Sequence, residues 1–363
     1  MKPGRVLALS VAAAVAIGAA LLLAPDRTAP PAMDRPTAAF PGIAARLPAA
    51  TTIEVARHDG RVTLRRDGER WVIAERGGYP VRQDRVRELL VGLSELQLAE
   101  PRTATPELLS RLGLEDPLQP EATGTLLRVL DGSGAPLAEI VIGRRRLRTG
   151  GNLPETVYVR RPAENQAWLA EGRLPADHDP NLWLPREIAN IPRERLREAT
   201  IARAGETPFA IRRAADPDGE LALDPLPAGR EADPERLSAV ARAFEALTLT
   251  DVRREADATG EALGNARFTF TDGLTVTVAL RRDGETLWLI PRAEGGEEAP
   301  GLMALWDGFA YQIGAWQADV FLPDAASLLR EAAAPAEPKA GPPPAAEPPP
   351  DGAAAAPTDA PAA

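Results

Sequence analysis

The residues best placed to do chemistry are few. The chain has two histidines, His58 and His178, and no cysteine. His178 stands between two carboxylates in Pro175-Ala176-Asp177-His178-Asp179-Pro180, and imidazole beside carboxylate is a donor set that divalent metals accept. In an extended segment, however, Asp177 and Asp179 point away from His178, and a tight site draws further ligands from elsewhere. A solvated loop ahead of Trp183 accounts for the same residues. His58 precedes Asp59-Gly60 and reads as an exposed hairpin residue.

Other constellations fail on spacing. Asp216-Pro217-Asp218-Gly219-Glu220 opens like a calcium loop, but the place of the bidentate Glu is Pro227; a hairpin tip fits better. Ser94 and Ser238 fall within helical patterns, outside any Gly-x-Ser-x-Gly setting, and no phosphate-cradling loop is present. Carboxylates abound, yet nothing pairs two of them as a glycosidase would. Arg144-Arg145-Arg146 with Arg148 could meet anionic headgroups or an acidic partner, although a solvated loop in an Arg-biased protein explains it as well. Trp71, Trp168 and Trp288 read as core. Trp183, Trp306 and Trp316 lie near the ends of two similar segments, where they either pack the core or form an exposed platform for sugar or peptide. We therefore expect no enzyme, no catalytic, cofactor-binding or metal-binding residue, and no cofactor.

Composition narrows the partners. The 363 residues carry a net charge of −10, which argues against nucleic acid, since that needs a positive field. Lysine occurs only at Lys2 and Lys339, so the positive charge is arginine almost throughout. Without cysteine no disulfide or lipid-bearing thiol is available, and the body must hold itself by its own core.

Residues 6–24 are uncharged and apolar and follow Lys2 and Arg5. Nineteen residues at about 1.5 Å each reach roughly 28 Å, near the hydrocarbon thickness of a bilayer. The expectation is a transmembrane anchor with residues 1–5 cytoplasmic and the body in the periplasm, a single-pass inner-membrane protein. The rival reading is a cleavable signal peptide, with Pro25 spoiling the best site. Residues 25–50, rich in Pro and Ala, read as a tether, and residues 331–363 as a disordered Pro/Ala tail.

Between them the chain repeats itself. Val86, Leu89, Leu93 and Leu96 share one helical face, and Leu237, Val240, Phe244 and Leu247 have the same spacing. Similar strand patterns flank each helix. Asp-Gly pairs at Asp59, Asp67, Asp131, Asp272 and Asp283 punctuate them as type I′ hairpin turns. Arg-Arg-Asp-Gly-Glu occurs twice, from Arg65 and from Arg281. The expected fold class is α+β: two tandem repeats, 51–195 and 196–330, each an antiparallel sheet plus one long amphipathic helix, after the N-terminal transmembrane helix.

A resemblance follows from these residues. Arg65-Arg66-Asp67-Gly68-Glu69-Arg70-Trp71-Val72-Ile73, then Tyr79-Pro80-Val81 leading into the first helix, resembles the opening of the domain-of-unknown-function 4340 family. Leu112-Gly113-Leu114-Glu115-Asp116-Pro117, Ile140-Val141-Ile142-Gly143, Tyr158-Val159-Arg160 and Trp183-Leu184 fit in order, over roughly residues 51–329; the second repeat lacks the Leu-Gly-Leu-Glu-Asp-Pro element. The resemblance implies a bacterial envelope protein anchored by one helix, without assigned activity and often encoded near gliding-motility-type ABC exporter components. The expected function is a non-catalytic accessory or scaffold of an envelope assembly such as an ABC-type exporter. Its partners would be the membrane and other envelope membrane proteins, with oligomeric state open. A periplasmic glycan- or peptide-binding module is the alternative.

Overall fold

The structure is a computed structural model that describes residues 35–146, 155–214 and 219–331. Strands dominate it because runs such as Thr-Ile-Glu-Val and Thr-Val-Thr-Val-Ala-Leu alternate apolar and polar residues. The first sheet holds β1 (Thr37–Ala38), β2 (Ala50–Arg57), β3 (Gly60–Asp67), β4 (Arg70–Ile73), β5 (Tyr79–Pro80), β6 (Gln97–Pro101), β7 (Thr125–Asp131), β8 (Pro136–Arg146), β9 (Thr156–Arg160) and β10 (Ala167–Glu171). Their order is β1-β6-β10-β9-β8-β7-β2-β3-β4-β5. Helix α1 (Gln83–Glu95) lies on one face and α2 (Pro106–Leu112) on the other. Alternation divides the strands accordingly: Leu127, Val129, Ile140 and Ile142 join the α1 side, and Leu126, Val141 and Ala167 the α2 side.

After β11 (Glu187–Ala189) the second sheet is built from β12 (Leu196–Arg203), β13 (Phe209–Arg213), β14 (Leu221–Asp224), β17 (Asp251–Arg254), β18 (Glu261–Phe270), β19 (Thr275–Asp283), β20 (Thr286–Glu294) and β21 (Phe309–Ile313). Short pairs join β11 to β16 (Leu247–Thr248) and β15 (Arg230–Ala232) to β22 (Leu329–Glu331). The helices here are α3 (Pro234–Ala241), α4 (Ala299–Trp306) and α5 (Ala315–Phe321). The order β14-β13-β12-β18-β19-β20-β21-β17 reproduces β4-β3-β2-β7-β8-β9-β10-β6 strand for strand. Every neighbouring pair in both sheets is antiparallel. The doubling of the chain is thus carried by its strands.

Four expectations need correcting. The chain is mostly β, not α+β with one long amphipathic helix per repeat. The second such helix stops at Ala241, because the Phe244 carbonyl accepts from Ile191 N–H (2.9 Å) and Asn190 Oδ1 accepts from Ala246 N–H (3.2 Å). The segment just after β11 has taken groups that a longer helix would have used. The N-terminal transmembrane helix and inner-membrane, single-pass localisation are withdrawn too. Among the described residues no helix is long and apolar enough to cross a membrane, and residues 6–24, on which that expectation rested, lie outside them. Much of that run is Ala, which partitions weakly. The stretch 35–50 is folded and not tether, with Ala39 and Ile43 buried in the core; its few apolar residues suffice because β1 adds to β6. The 331–363 tail lies outside the described residues beyond Glu331.

Turn geometry supplies the fourth. Asp67 pairs with Arg70 and Asp283 with Thr286, leaving the loops Gly68-Glu69 and Gly284-Glu285. Both glycines have φ +60° while the glutamates do not turn left-handed, which is a II′ pattern instead of I′. The two Arg-Arg-Asp-Gly-Glu segments also occupy hairpins that are not counterparts, β3–β4 and β19–β20. They share turn chemistry and not position.

The sheets meet end to end, β4–β5 of the first against β17–β21 of the second. Tyr79 packs edge-on against Phe309 (4.9 Å) and Tyr311 (5.9 Å), and Arg76 Nε donates to Asp251 Oδ1 at 2.5 Å. Arg254 lies over the Phe309 ring at 4.4 Å and against Gly77, where a Cβ would come within 2.5 Å of its Cγ. One apolar cluster runs through this junction from Ala39 to Leu328.

Candidate functional site

The carboxylates and histidines that could have formed a metal centre are dispersed among structural partners. Asp177 pairs with Arg85, Asp179 Oδ1 accepts from Asn181 N–H (2.9 Å) in the turn it caps, and His178 Nε2 lies 3.5 Å from Asp59 Oδ1. Asp59 is held well below the usual carboxylate range, chiefly by its hydrogen bond from Arg57. Asp177 and His178 knit α1 and the β2–β3 hairpin to the loop before Trp183, whose Nε1 donates to Asp177 O at 2.8 Å. His58 is exposed at its hairpin. Among the described residues no three His, Cys, Asp or Glu side chains gather as metal ligands would.

The remaining candidates are placed as follows. Ser94 Oγ donates back to Val91 O (2.8 Å) in α1, and Ser238 is half-buried in α3. Arg144, Arg145 and Arg146 are exposed at the end of β8, Arg145 donating to Leu174 O (2.8 Å); Arg148 lies outside the described residues, as do Asp216, Pro217 and Asp218 of the loop compared with calcium sites. Trp183 and Trp306 are fully buried, Trp306 Nε1 donating to Ile188 O at 3.0 Å, and Trp288 is covered by Arg253 at 3.7 Å.

One buried cation escaped the sequence reading. Arg160, 8% exposed, donates through Nε to Leu114 O (2.8 Å) and through Nη1 to Pro162 O (3.0 Å) and Glu164 O (2.9 Å). It clamps the Leu112-Gly113-Leu114 turn, which fits only because Gly143 has no Cβ; one there would lie 2.3 Å from Leu112 O. Burial pushes the guanidinium below its ordinary value, with Asp116 opposing. Arg160→Met should cost about 2–3 kcal/mol, by leaving buried carbonyls without donors. An unchanged denaturation midpoint would show that water already satisfies them.

The sixth tryptophan behaves differently from the rest. Trp316 is 71% exposed, the most exposed large apolar side chain described. It stands at the second position of α5, whose neighbouring Gln317 is fixed by accepting from Gly314 N–H (2.9 Å) and donating to Thr248 O (3.1 Å). Beside it runs a groove of about 270 Å³ lined by Ala239, Ala243, Ala246, Leu247 and Val320. Its floor is Phe321, packed edge-on to Phe244 at 5.2 Å, and its rim holds Arg242 and Glu245. A rigid floor, small lining residues and an exposed indole can hold an apolar side chain of another molecule.

No curated protein matches the chain. A match of another kind runs from Trp71 in β4 to Ala266 in β18, across both sheets, and is narrower than the span 51–329 that the motifs suggested. It covers more than half of the sequence, and by it the chain belongs to the family described as a domain of unknown function (DUF4340), residues 71–266.

Proposed function

We propose that the chain is a non-catalytic accessory or scaffold protein, holding another protein in an envelope assembly such as an ABC-type exporter. The observation that carries this reading is the exposed Trp316 on its apolar groove, while Asp177 and His178, the residues compared with a metal site, are taken up by pairs with Arg85 and Asp59. Tryptophan loses little conformational freedom on binding and buries a large area, so it recurs at the centres of protein contacts.

The test is affinity purification of the tagged full chain from its native host, with Trp316→Asp in parallel. Partner recovery should fall about tenfold or more, since a hot-spot truncation costs about 2 kcal/mol or more. The melting temperature should stay within a degree or two, because the side chain is mostly in solvent. Equal recovery by both proteins would remove Trp316 from the contact. A reaction catalysed by the purified chain would overturn the non-catalytic reading.

A further inference from the structure

The two sheets share one strand order but differ at one edge. In the first, β4 is covered: β5 pairs with it, Tyr79 opposite Ile73 and Pro80 opposite Val72. Gly78 N–H donates to Ile73 O (2.9 Å), Val81 N–H to Trp71 O (3.1 Å), and the Gln83 amide bonds both Trp71 N–H and Trp71 O at 2.9 Å. In the second, the counterpart of β4 is β14, which pairs with β13 alone. Register identifies the matching residues. Ile53, Leu64 and Ile73 lie side by side across β2, β3 and β4, as Ala199, Ile211 and Leu223 do across β12, β13 and β14. Leu221 and Leu223 therefore take the places of Trp71 and Ile73, and among the described residues no strand covers their outer edge.

That edge borders an open cleft of about 650 Å³ between β14 and α3, lined by Leu221, Leu223, Leu237 and Ala241 and, at its mouth, by charged side chains such as Arg213 and Arg330. The connection that in the first sheet turns straight into β5 here runs out to β15, which pairs with β22. Among the described residues no strand stands beside the outer edge of β14 as β5 stands beside β4, and the cavity is lined by β14 itself.

We infer that β14 receives an extended peptide from a partner protein, pairing antiparallel with its outer edge and placing a large apolar or aromatic side chain opposite Leu223, as Tyr79 stands opposite Ile73. Strand addition supplies backbone hydrogen bonds whatever the sequence, and the cavity reads the side chain. The occupant is not a second copy using the face that covers β4–β5 within this chain, because Phe309, Tyr311 and Arg254 are already committed to Tyr79 and Gly77. The inference rests on the scaffold reading and names the chemistry of what is held, at a surface other than the Trp316 groove.

The probe is the chain's own covering strand, Gly77-Gly78-Tyr79-Pro80-Val81-Arg82-Gln83 as a labelled free peptide, titrated against the full chain by fluorescence anisotropy. Saturable binding is expected. N-methylation at the Gly78 and Val81 nitrogens, which removes the two pairing donors, should weaken it at least about tenfold, as should Tyr79→Gly in the peptide. Ser238→Trp in the protein, which fills the cavity from α3, should do the same; the N-methylated peptide keeps the test valid if that variant misfolds. Binding should be unchanged in Trp316→Asp. Loss of partner recovery in that variant with peptide binding intact would separate the two surfaces. Equal affinity for the N-methylated peptide, or no saturation below about 1 mM, overturns the inference. Concentration-dependent self-association abolished by Ser238→Trp would assign the edge to a second copy and overturn it equally.

Discussion

Truncating Tyr79 to Ala should destabilise the chain by about 3–5 kcal/mol, the range for removing a large buried aromatic side chain. Tyr79→Phe should be neutral or slightly stabilising. The ring is fully buried and edge-packed on Phe309 and Tyr311 at the junction of the sheets. Losing it removes transfer energy, opens a cavity and forfeits two aromatic contacts of about 0.5–1.5 kcal/mol each. The hydroxyl is another matter. Tyr311 Oη donates to Leu305 O (2.8 Å), whereas Tyr79 Oη, close to the Tyr311 hydroxyl, makes no hydrogen bond within 3.5 Å among the described residues. A buried donor without a partner costs free energy, so deleting the oxygen removes a penalty and no bond. Chemical denaturation of the three proteins decides it. The melting temperature of Tyr79→Ala should fall by roughly 10 °C, at about 2–4 °C per kcal/mol for a body of this size or somewhat less. If Tyr79→Phe loses as much as Tyr79→Ala, the hydroxyl is bonded and the junction is polar, not apolar.

Because one core runs through both sheets, the damage should not stay local. The wild type should unfold in one cooperative transition. A Tyr79→Ala protein whose sheets have been uncoupled should show two by calorimetry, which separates loss of the junction from loss of general stability.

What could be read from the residues follows from how local each signal is. The strand runs and the Gly68 and Gly284 turns depend on neighbours one or two positions away, so alternation and glycine placement revealed them. The face of α1 was legible for the same reason, and Val86, Leu89 and Leu93 are buried. The length of α3 was not, because its end is set by Asn190 and Ile191 from the segment after β11. Ala246, with φ +47°, carries no mark in the sequence of that conformation. The folded part of the supposed tether was hidden by its proline content, and Ala39 and Ile43 earn burial only through β1 pairing with β6. Trp183, Trp306 and Trp316 look alike in sequence; only the helix ends and the Gln317 bonds decide that the last one faces out. Arg160 was equally opaque, since its partners are backbone carbonyls that any residue supplies.

The last expected effect ties that unforeseen helix end to the candidate site. Phe244 is fully buried among Phe268 (5.0 Å), Phe321 (5.2 Å) and Phe270 (6.1 Å), all edge-to-face, just beyond the residue where α3 stops. Phe244→Ala should cost about 3–5 kcal/mol, whereas Phe244→Leu should cost less, because it keeps most of the apolar volume and gives up only the edge-on ring contacts. The consequence reaches the groove because Phe321, which Phe244 supports, forms its floor beneath Trp316. Near room temperature, where Phe244→Ala remains folded, its Trp316 should be held less firmly. Of the six tryptophans, Trp316 is the one most open to a soluble quencher. Iodide quenching should therefore rise in Phe244→Ala while the buried Trp183 and Trp306 stay shielded, and partner recovery should fall with it. Lost stability with unaltered quenching and undiminished partner recovery would mean that the aromatic cluster holds the sheet alone. The contact surface would then have to lie away from α5.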